Sequence, residues 1–448
     1  MGLASSQAVS DAKPGFFGVV LAAYLAITIS RIHEVVPYLT HLYMGKVSAA
    51  LLLMAAFSRI RGSDIQRVFR TPVAKYVAIM TAIAFVSVPG SAWPKQSFTF
   101  FQDWWPQVML MFVCVCAGFV NRRTAYLCVV TVTLSAGFAA LVMMATNNVD
   151  GGGRAFIGTY RAATYDANMS AALFVLALPY AAMLAVSRGW TRWAGIGLIP
   201  LLIAATLATA SRGGVLALAV LGVTTVVFAP KQHRPKYIGL LVLAVAIAPF
   251  LPHSGLATRW AEFMQPGGDY NMTSRDGRIE VWKRGIGFMI AHPVLGVGVR
   301  SYEIAGGTLA HSWVNAHNAF IQVGAELGVG GLVVFVLMVS AGLRLALHAR
   351  RRLSGNNLSP SDELGRSLVT AAFGALVATL ASAMFLSMAY DAMMLFALGV
   401  PTGLALSLRG VARPAGAGAP LAPSRGNAPG WRSNRVARPA PRRVQPGA

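Results

Sequence analysis

The stretch Ala316–Leu343, AHNAFIQVGAELGVGGLVVFVLMVSAGL, decides the reading of this chain. From Ala319 onward it is apolar over the length of about twenty residues that a helix needs to cross a bilayer. Yet it opens on His317-Asn318, and the residues before it are polar and rich in arginine. These are Thr273-Ser274-Arg275-Asp276-Gly277-Arg278, then Trp282, then His292-Pro293-Val294-Leu295-Gly296-Val297-Gly298. A membrane helix entered from a cationic loop through a histidine is where chemistry can sit in an otherwise apolar chain.

The rest of the sequence supports that partition. Of the 448 residues 56% are hydrophobic and 12% charged, which fits a polytopic membrane protein and not a soluble globule. Apolar runs fall near 16 to 30, 43 to 57, 73 to 88, 107 to 120, 125 to 145, 168 to 187, 194 to 210, 213 to 230, 236 to 251, 319 to 343, 367 to 388 and 391 to 408. The expected fold is therefore all-α, with about twelve transmembrane helices and a long outer loop that contains amphipathic helices. One integral domain over 1–408, with its loop at 252–317, is followed by a Pro-, Gly- and Arg-rich tail at 409–448 that cannot build a core.

Basic residues orient the chain. If every span is crossed in turn, Arg59, Arg61, Arg67 and Arg70, then Arg122-Arg123, Arg188, Arg192, Lys231, Arg234, Lys236 and Arg350-Arg351-Arg352 share one side. The positive-inside rule makes that side the cytoplasm and puts both termini there. A net charge of +23 thus reflects topology and the tail, which can rest on anionic membrane lipid; no nucleic-acid partner is implied. Cys114, Cys116 and Cys128 all lie in apolar runs and indicate packing, not a disulfide frame or a metal cluster. The polar N-terminus is expected to lead into a retained first span. Trp93, Phe98, Phe100, Phe101, Trp104 and Trp105 read as an aromatic belt at the outer interface, with a sugar platform as the alternative.

Against the rule, Arg154, Arg161, Arg212, Arg259, Arg275, Arg278, Arg284 and Arg300 fall on the outer side. Solvated loop charge is one explanation. Arg212, however, sits in a two-residue turn between two apolar runs, where a cation needs an anionic partner. Guanidinium forks bind phosphate, so converging outward arginines point to a phosphate or diphosphate site. His317, at the start of a helix, is expected to be held neutral and available as a base. Glu326 lies nine residues on, the opposite face of a continuous helix, and is assigned to helix packing or to a loop arginine. Gly328, Gly330 and Gly331 read as close helix packing. The stretch Arg278 to Ile290 reads as an amphipathic helix on the outer membrane surface, anchored by Ile279, Trp282, Ile286, Met289 and Ile290. Neither a metal-ligand pattern nor a nucleotide-binding glycine loop appears, so no metal and no cofactor is expected.

Taken together, Tyr165-Asp166-Ala167-Asn168, Ser211-Arg212-Gly213-Gly214, Arg275 to Gly298, and His317-Asn318 with Glu326-Leu327-Gly328 resemble the O-antigen ligase and polymerase superfamily of bacterial membrane glycosyltransferases. The resemblance covers about Arg154 to Val334. It implies an inner-membrane enzyme whose site faces the periplasm and works without metal or nucleotide. Such an enzyme passes a glycan from an undecaprenyl diphosphate carrier to an acceptor hydroxyl on a lipid or polysaccharide. It further implies His317 as the base and Arg212 with Arg275 or Arg278 as diphosphate ligands. Arg154 or Arg161 stands beside them, and Asn318, Glu326, Asp166, Asn168 and Trp282 support the site. Many relatives carry Asp-Pro-Asn where this chain has Asp166-Ala167-Asn168. A polymerase, a protein O-glycosylation ligase and, from another class, a lipid-linked glycan or solute transporter are the alternatives.

Overall fold

The computed structural model describes residues 13–31, 42–146, 149, 154–159, 162–228, isolated positions between 232 and 239, 274–311, 313–355 and 358–409. Most of the apolar run 236–251, the first third of the expected outer loop and residues 410–448 of the C-terminal tail lie outside them.

The described chain is nearly all helical. In order come α1 (Phe16–Ser30), α2 (Met44–Arg59), α3 (Gly62–Phe69), α4 (Pro72–Val86) and α5 (Pro94–Thr99). A π-helical turn (Phe100–Trp104) leads into α6 (Trp105–Gly118) and α7 (Arg122–Thr146). After a small ribbon of β1 (Ile157–Thr159) and β2 (Ala162–Tyr165) follow α8 (Ala167–Ala185), α9 (Trp190–Ala208) and α10 (Arg212–Phe228). The last elements are α11 (Arg278–Ala291), α12 (Tyr302–Ala310), α13 (Ala319–Arg352), α14 (Pro360–Ala383) and α15 (Ala392–Arg409). Five helices, α7, α8, α9, α13 and α14, are long and apolar enough to cross a membrane. The pair α3 and α4, bent by 88°, makes six if it is one span. This is a membrane protein.

Local chemistry explains the helix starts. Thr71 caps α4 just before Pro72, and Ser359 caps α14 just before Pro360, the positions where a hydroxyl and a proline favour initiation. Asp166 Oδ1 accepts the Met169 amide at 2.8 Å and caps α8, so the turn forms with Ala167 in the place of a proline. The Ile157 amide donates to Ser170 Oγ at 3.0 Å, fastening the ribbon to the first turn of α8.

Hydrogen bonds sort the helix ends into two groups. At one, Arg122 at the start of α7 pairs with Asp362 at 2.9 Å, and Arg350 in the last turn of α13 donates to the Phe228 carbonyl at 2.8 Å. At the other, the starts of α8, α10 and α13 and the end of α14 are tied together, as set out below. The three cysteines are buried and free.

Several expectations are corrected. The 147–168 loop contains a two-stranded antiparallel ribbon, so the fold is not purely α. The aromatic run is only partly an interface belt. Phe100 and Trp105 are core residues, packed edge-on to Tyr390 at 5.6 and 6.2 Å, and Trp105 Nε1 donates to Thr81 Oγ1 at 3.1 Å. Gly328 is a break in α13, with φ 71° and ψ −173°, and does not serve helix–helix packing.

The break has a partner that explains it. Val329, freed from its place in the helical ladder, donates its amide to the Pro293 carbonyl at 2.9 Å. The Ala325 and Glu326 carbonyls accept the amides of Val297 at 2.8 Å and Gly298 at 3.0 Å. The His-Pro-Val-Leu-Gly-Val-Gly loop thus fills the broken turn, which leaves these buried backbone groups satisfied. A Cβ on Gly328 would lie 2.4 Å from the Pro293 oxygen, and one on Gly296 2.4 Å from the Ala325 oxygen.

Helix α14 also ends earlier than the apolar run. Between Ala383 and Ala392 the chain is non-helical and largely buried, because its backbone bonds elsewhere. The Ala389 amide donates to Gln322 Oε1 at 3.4 Å, and the Tyr390 carbonyl accepts from Trp104 Nε1 at 3.1 Å.

Candidate functional site

The unwound segment after α14 is the hub. The Met384 carbonyl accepts from Asn318 Nδ2 at 3.1 Å, and Ser387 Oγ accepts the His317 amide at 2.8 Å. Asn318 Oδ1 in turn accepts the amides of Phe320 at 2.9 Å and Ile321 at 3.1 Å, so one buried side chain both caps α13 and pins it to the hub. The Arg278 guanidinium carbon lies 5.7 Å from the Phe385 ring centre, and Gly213, next to Arg212, packs so closely that an added Cβ would meet the Phe385 Cβ at 3.0 Å. Ser211 Oγ donates to Asn168 Oδ1 at 2.7 Å, joining α10 to α8. Asn168, Ser211, Gly213, Gly214, Phe385 and Leu386 wall a small cleft here.

The starts of α8, α10, α11 and α13 therefore meet around the hub. Each helix N-terminus presents partial positive charge, so their junction favours an anion. Arg278 and Arg212 occupy the first positions of α11 and α10, both half-buried.

His317 sits just outside α13 with a left-handed backbone, φ 48°. Trp282 Nε1 donates to the adjacent Ala316 carbonyl at 3.0 Å. Trp282 therefore fastens the histidine loop to α11 and is not a lipid anchor. The buried face of α11 is Val281, Gly285 and Phe288, while Ile279, Ile286 and Ile290 are exposed. The imidazole is held below its ordinary range by burial first and then by the Arg278 charge; Asp166 opposes this and Arg154 adds to it. The direction matches the sequence expectation, but the leading causes are burial and arginine.

The structure thus gathers His317, Arg278, Arg154, Asp166, Asn168, Arg212, Asn318 and Trp282 at one end of the bundle. Of the pair left open, Arg154 is placed and Arg161 lies outside the described residues. Arg278 acts on the imidazole, whereas Arg275 is exposed on the turn before α11, its carbonyl accepting from Arg284 Nη2 at 3.4 Å. Glu326 faces away from His317: its Oε1 accepts the Tyr302 amide at 3.3 Å, beside Arg300. Phe385 and Ser387 escaped the sequence reading because their segment is apolar and adjoins a helix; the Ser382 to Asp391 stretch carries no charge until its end.

Fold and site define a helical membrane protein in which a histidine and several arginines gather where helices begin. Residues 196–336 match the family model Wzy_C, described as O-Antigen ligase. The match contains Arg212, Arg275, Arg278, Trp282, His317, Asn318 and Glu326. No curated protein matches the chain. A solved chain described as "Structural coordination of polymerization and crosslinking by a peptidoglycan synthase complex" aligns over 75% of this chain and 96% of its own, at 20% identity and a TM-score of 0.41.

Proposed function

We propose that the protein transfers a glycan from an undecaprenyl diphosphate carrier to an acceptor hydroxyl, at the outer face of the bacterial inner membrane. The observation that carries this reading is the placement of a neutral-leaning His317 within the field of Arg278 and Arg154, where four helix N-termini meet. In the transfer, the anomeric carbon–phosphate oxygen bond breaks and a bond to the acceptor oxygen forms on the opposite face. The acceptor proton passes to a ring nitrogen of His317, and the departing diphosphate keeps the bonding electrons. Arg278, Arg212 and Arg154 oppose its charge as it develops. Basic residues gathered at the other end of the helices support a periplasmic orientation for the site. We take residues 1–408 as the catalytic membrane domain and 409–448 as a basic tail.

Lipid, polysaccharide and protein acceptors all suit this chemistry. The test is purified protein with an undecaprenyl diphosphate glycan and each acceptor in turn, reading released carrier and product. Release coupled to a glycosylated lipid supports a ligase, and release coupled to longer chains on the carrier a polymerase. Without release from any acceptor, and with glycan lipid crossing vesicles, the transfer reading fails.

A transporter reading draws on the break in α13, since discontinuous helices line substrate sites in carriers. Here loop amides occupy the carbonyls that the break frees, which favours a fixed strut over a substrate site.

A further inference from the structure

Two groups on adjacent residues of α11 set where Arg278 stands, and neither belongs to the gathered histidine and arginines. Trp282 holds the Ala316 carbonyl, as described. One residue earlier, the Val281 carbonyl accepts from Tyr302 Oη at 2.5 Å. A helix carbonyl has a second lone pair for such a bond. Tyr302 is fully buried, with its ring edge-on to Phe288 at 5.8 Å. Gly285 leaves room for Ile321 and for Tyr302, since a Cβ there would lie 2.4 Å from Ile321 Cγ2 and 3.0 Å from the Tyr302 hydroxyl. The Tyr302 amide reaches back to Glu326 in α13, and Tyr302 lies four residues after Gly298, the end of the loop that fills the α13 break. One residue therefore links α13 at Glu326, through its amide, to the first turn of α11, through its hydroxyl.

We propose that Tyr302 is a positioning residue of the transfer site: its hydroxyl fixes the first turn of α11, and with it Arg278, relative to His317. Arg278 precedes Val281 by three residues and Trp282 by four, so it lies on the turn that these two bonds anchor. Tyr302 acts through α11 and does not itself meet the substrate. The catalytic consequence rests on the transfer reading above; the geometric one does not. Small misplacements of a charge-stabilising group can cost about a hundredfold in rate.

The experiment separates the two. In full-length protein in lipid nanodiscs, the titration of His317 is followed by NMR of labelled histidine, assigned by its loss in His317→Gln. The charged groups facing that ring are Arg278, Asp166 and Arg154, so a displaced Arg278 reads out directly. Tyr302→Phe keeps the ring and removes the bond, and should raise the His317 midpoint toward the ordinary value. Arg278→Gln should raise it too, and Tyr302→Phe added to Arg278→Gln should do nothing more. An unchanged midpoint in folded Tyr302→Phe, or an equal shift with and without Arg278, overturns the proposal. Transfer assays on the same samples should show Tyr302→Phe slowed at saturating donor. Absence of transfer in the unmutated protein would count against the transfer reading and leave the titration result standing.

Discussion

The Arg278 guanidinium stands 5.7 Å from the centre of the Phe385 ring, and a Cβ added to Gly213 would meet the Phe385 Cβ at 3.0 Å. Phe385 thus packs against both helix starts, the one that carries Arg278 and the one that carries Arg212. A cation held over an aromatic face gains about 0.5 to 2 kcal/mol, according to its exposure. Phe385→Leu should lower transfer by roughly two- to thirtyfold on that scale, with Phe385→Tyr close to unchanged. Steady-state assays over a range of lipid-linked donor concentrations check this. Equal activity of Phe385→Leu would show that the ring is not what holds Arg278.

The pH dependence of transfer follows from the field at His317. Burial, Arg278 and Arg154 favour the neutral ring, so the form that accepts a proton persists below the ordinary midpoint of 6.5. The rate should rise with pH through a midpoint below 6.5 and be level above it. Arg278→Gln removes a charge that lowers the midpoint, and should move the acid limb up. Asp166→Asn removes one that raises it, and should move the limb down while an asparagine still caps α8. His317→Ala should abolish transfer without loss of membrane insertion. Limbs that move in the opposite directions would rule out this arrangement of charges.

Much of this is legible in the sequence, for definite reasons. Apolar runs mark membrane helices because the bilayer core demands them, and His317-Asn318 stood out as polar groups against such a run. What stayed hidden depended on backbone geometry. Gly328 looks like any small residue in an apolar helix, since nothing in a linear pattern shows that its φ is positive. Met384 to Ser387 read as helix because their apolarity is satisfied equally by a buried non-helical segment whose backbone is bonded by Asn318 and whose Ser387 takes the His317 amide. Trp282 showed helical spacing with the isoleucines, but its indole N–H needed a partner, and the Ala316 carbonyl supplied it on the inward side.

Two glycines of α13, two residues apart, should respond to alanine with opposite signs. At Gly328 a Cβ would meet the Pro293 oxygen at 2.4 Å and φ is 71°, so Gly328→Ala must displace the strut or strain the backbone. Left-handed strain alone costs on the order of 1 to 3 kcal/mol. Gly330 has ordinary helical geometry and nothing within 4 Å of an added Cβ. There Gly330→Ala should stabilise by about 0.5 to 1 kcal/mol, through the smaller entropy lost on folding. Thermal unfolding in detergent should show a lowered midpoint for the first and an equal or raised one for the second. A tolerated Gly328→Ala would mean that the break is not imposed by the loop.

Asn318 performs two tasks that one pair of variants can separate. Its oxygen caps α13 and its nitrogen holds the Met384 carbonyl. Asn318→Asp keeps the cap acceptor and loses the donor; Asn318→Ala loses both. Loss of a cap costs about 0.5 to 2 kcal/mol, so Asn318→Ala should be the less stable of the two by thermal unfolding. The bond to Met384 is different in kind, because it fixes the segment whose Ser387 takes the His317 amide. Both variants should therefore lose transfer activity, although only the alanine loses the cap. If Asn318→Asp keeps full activity, the hub is held by its other contacts and the asparagine serves the helix alone.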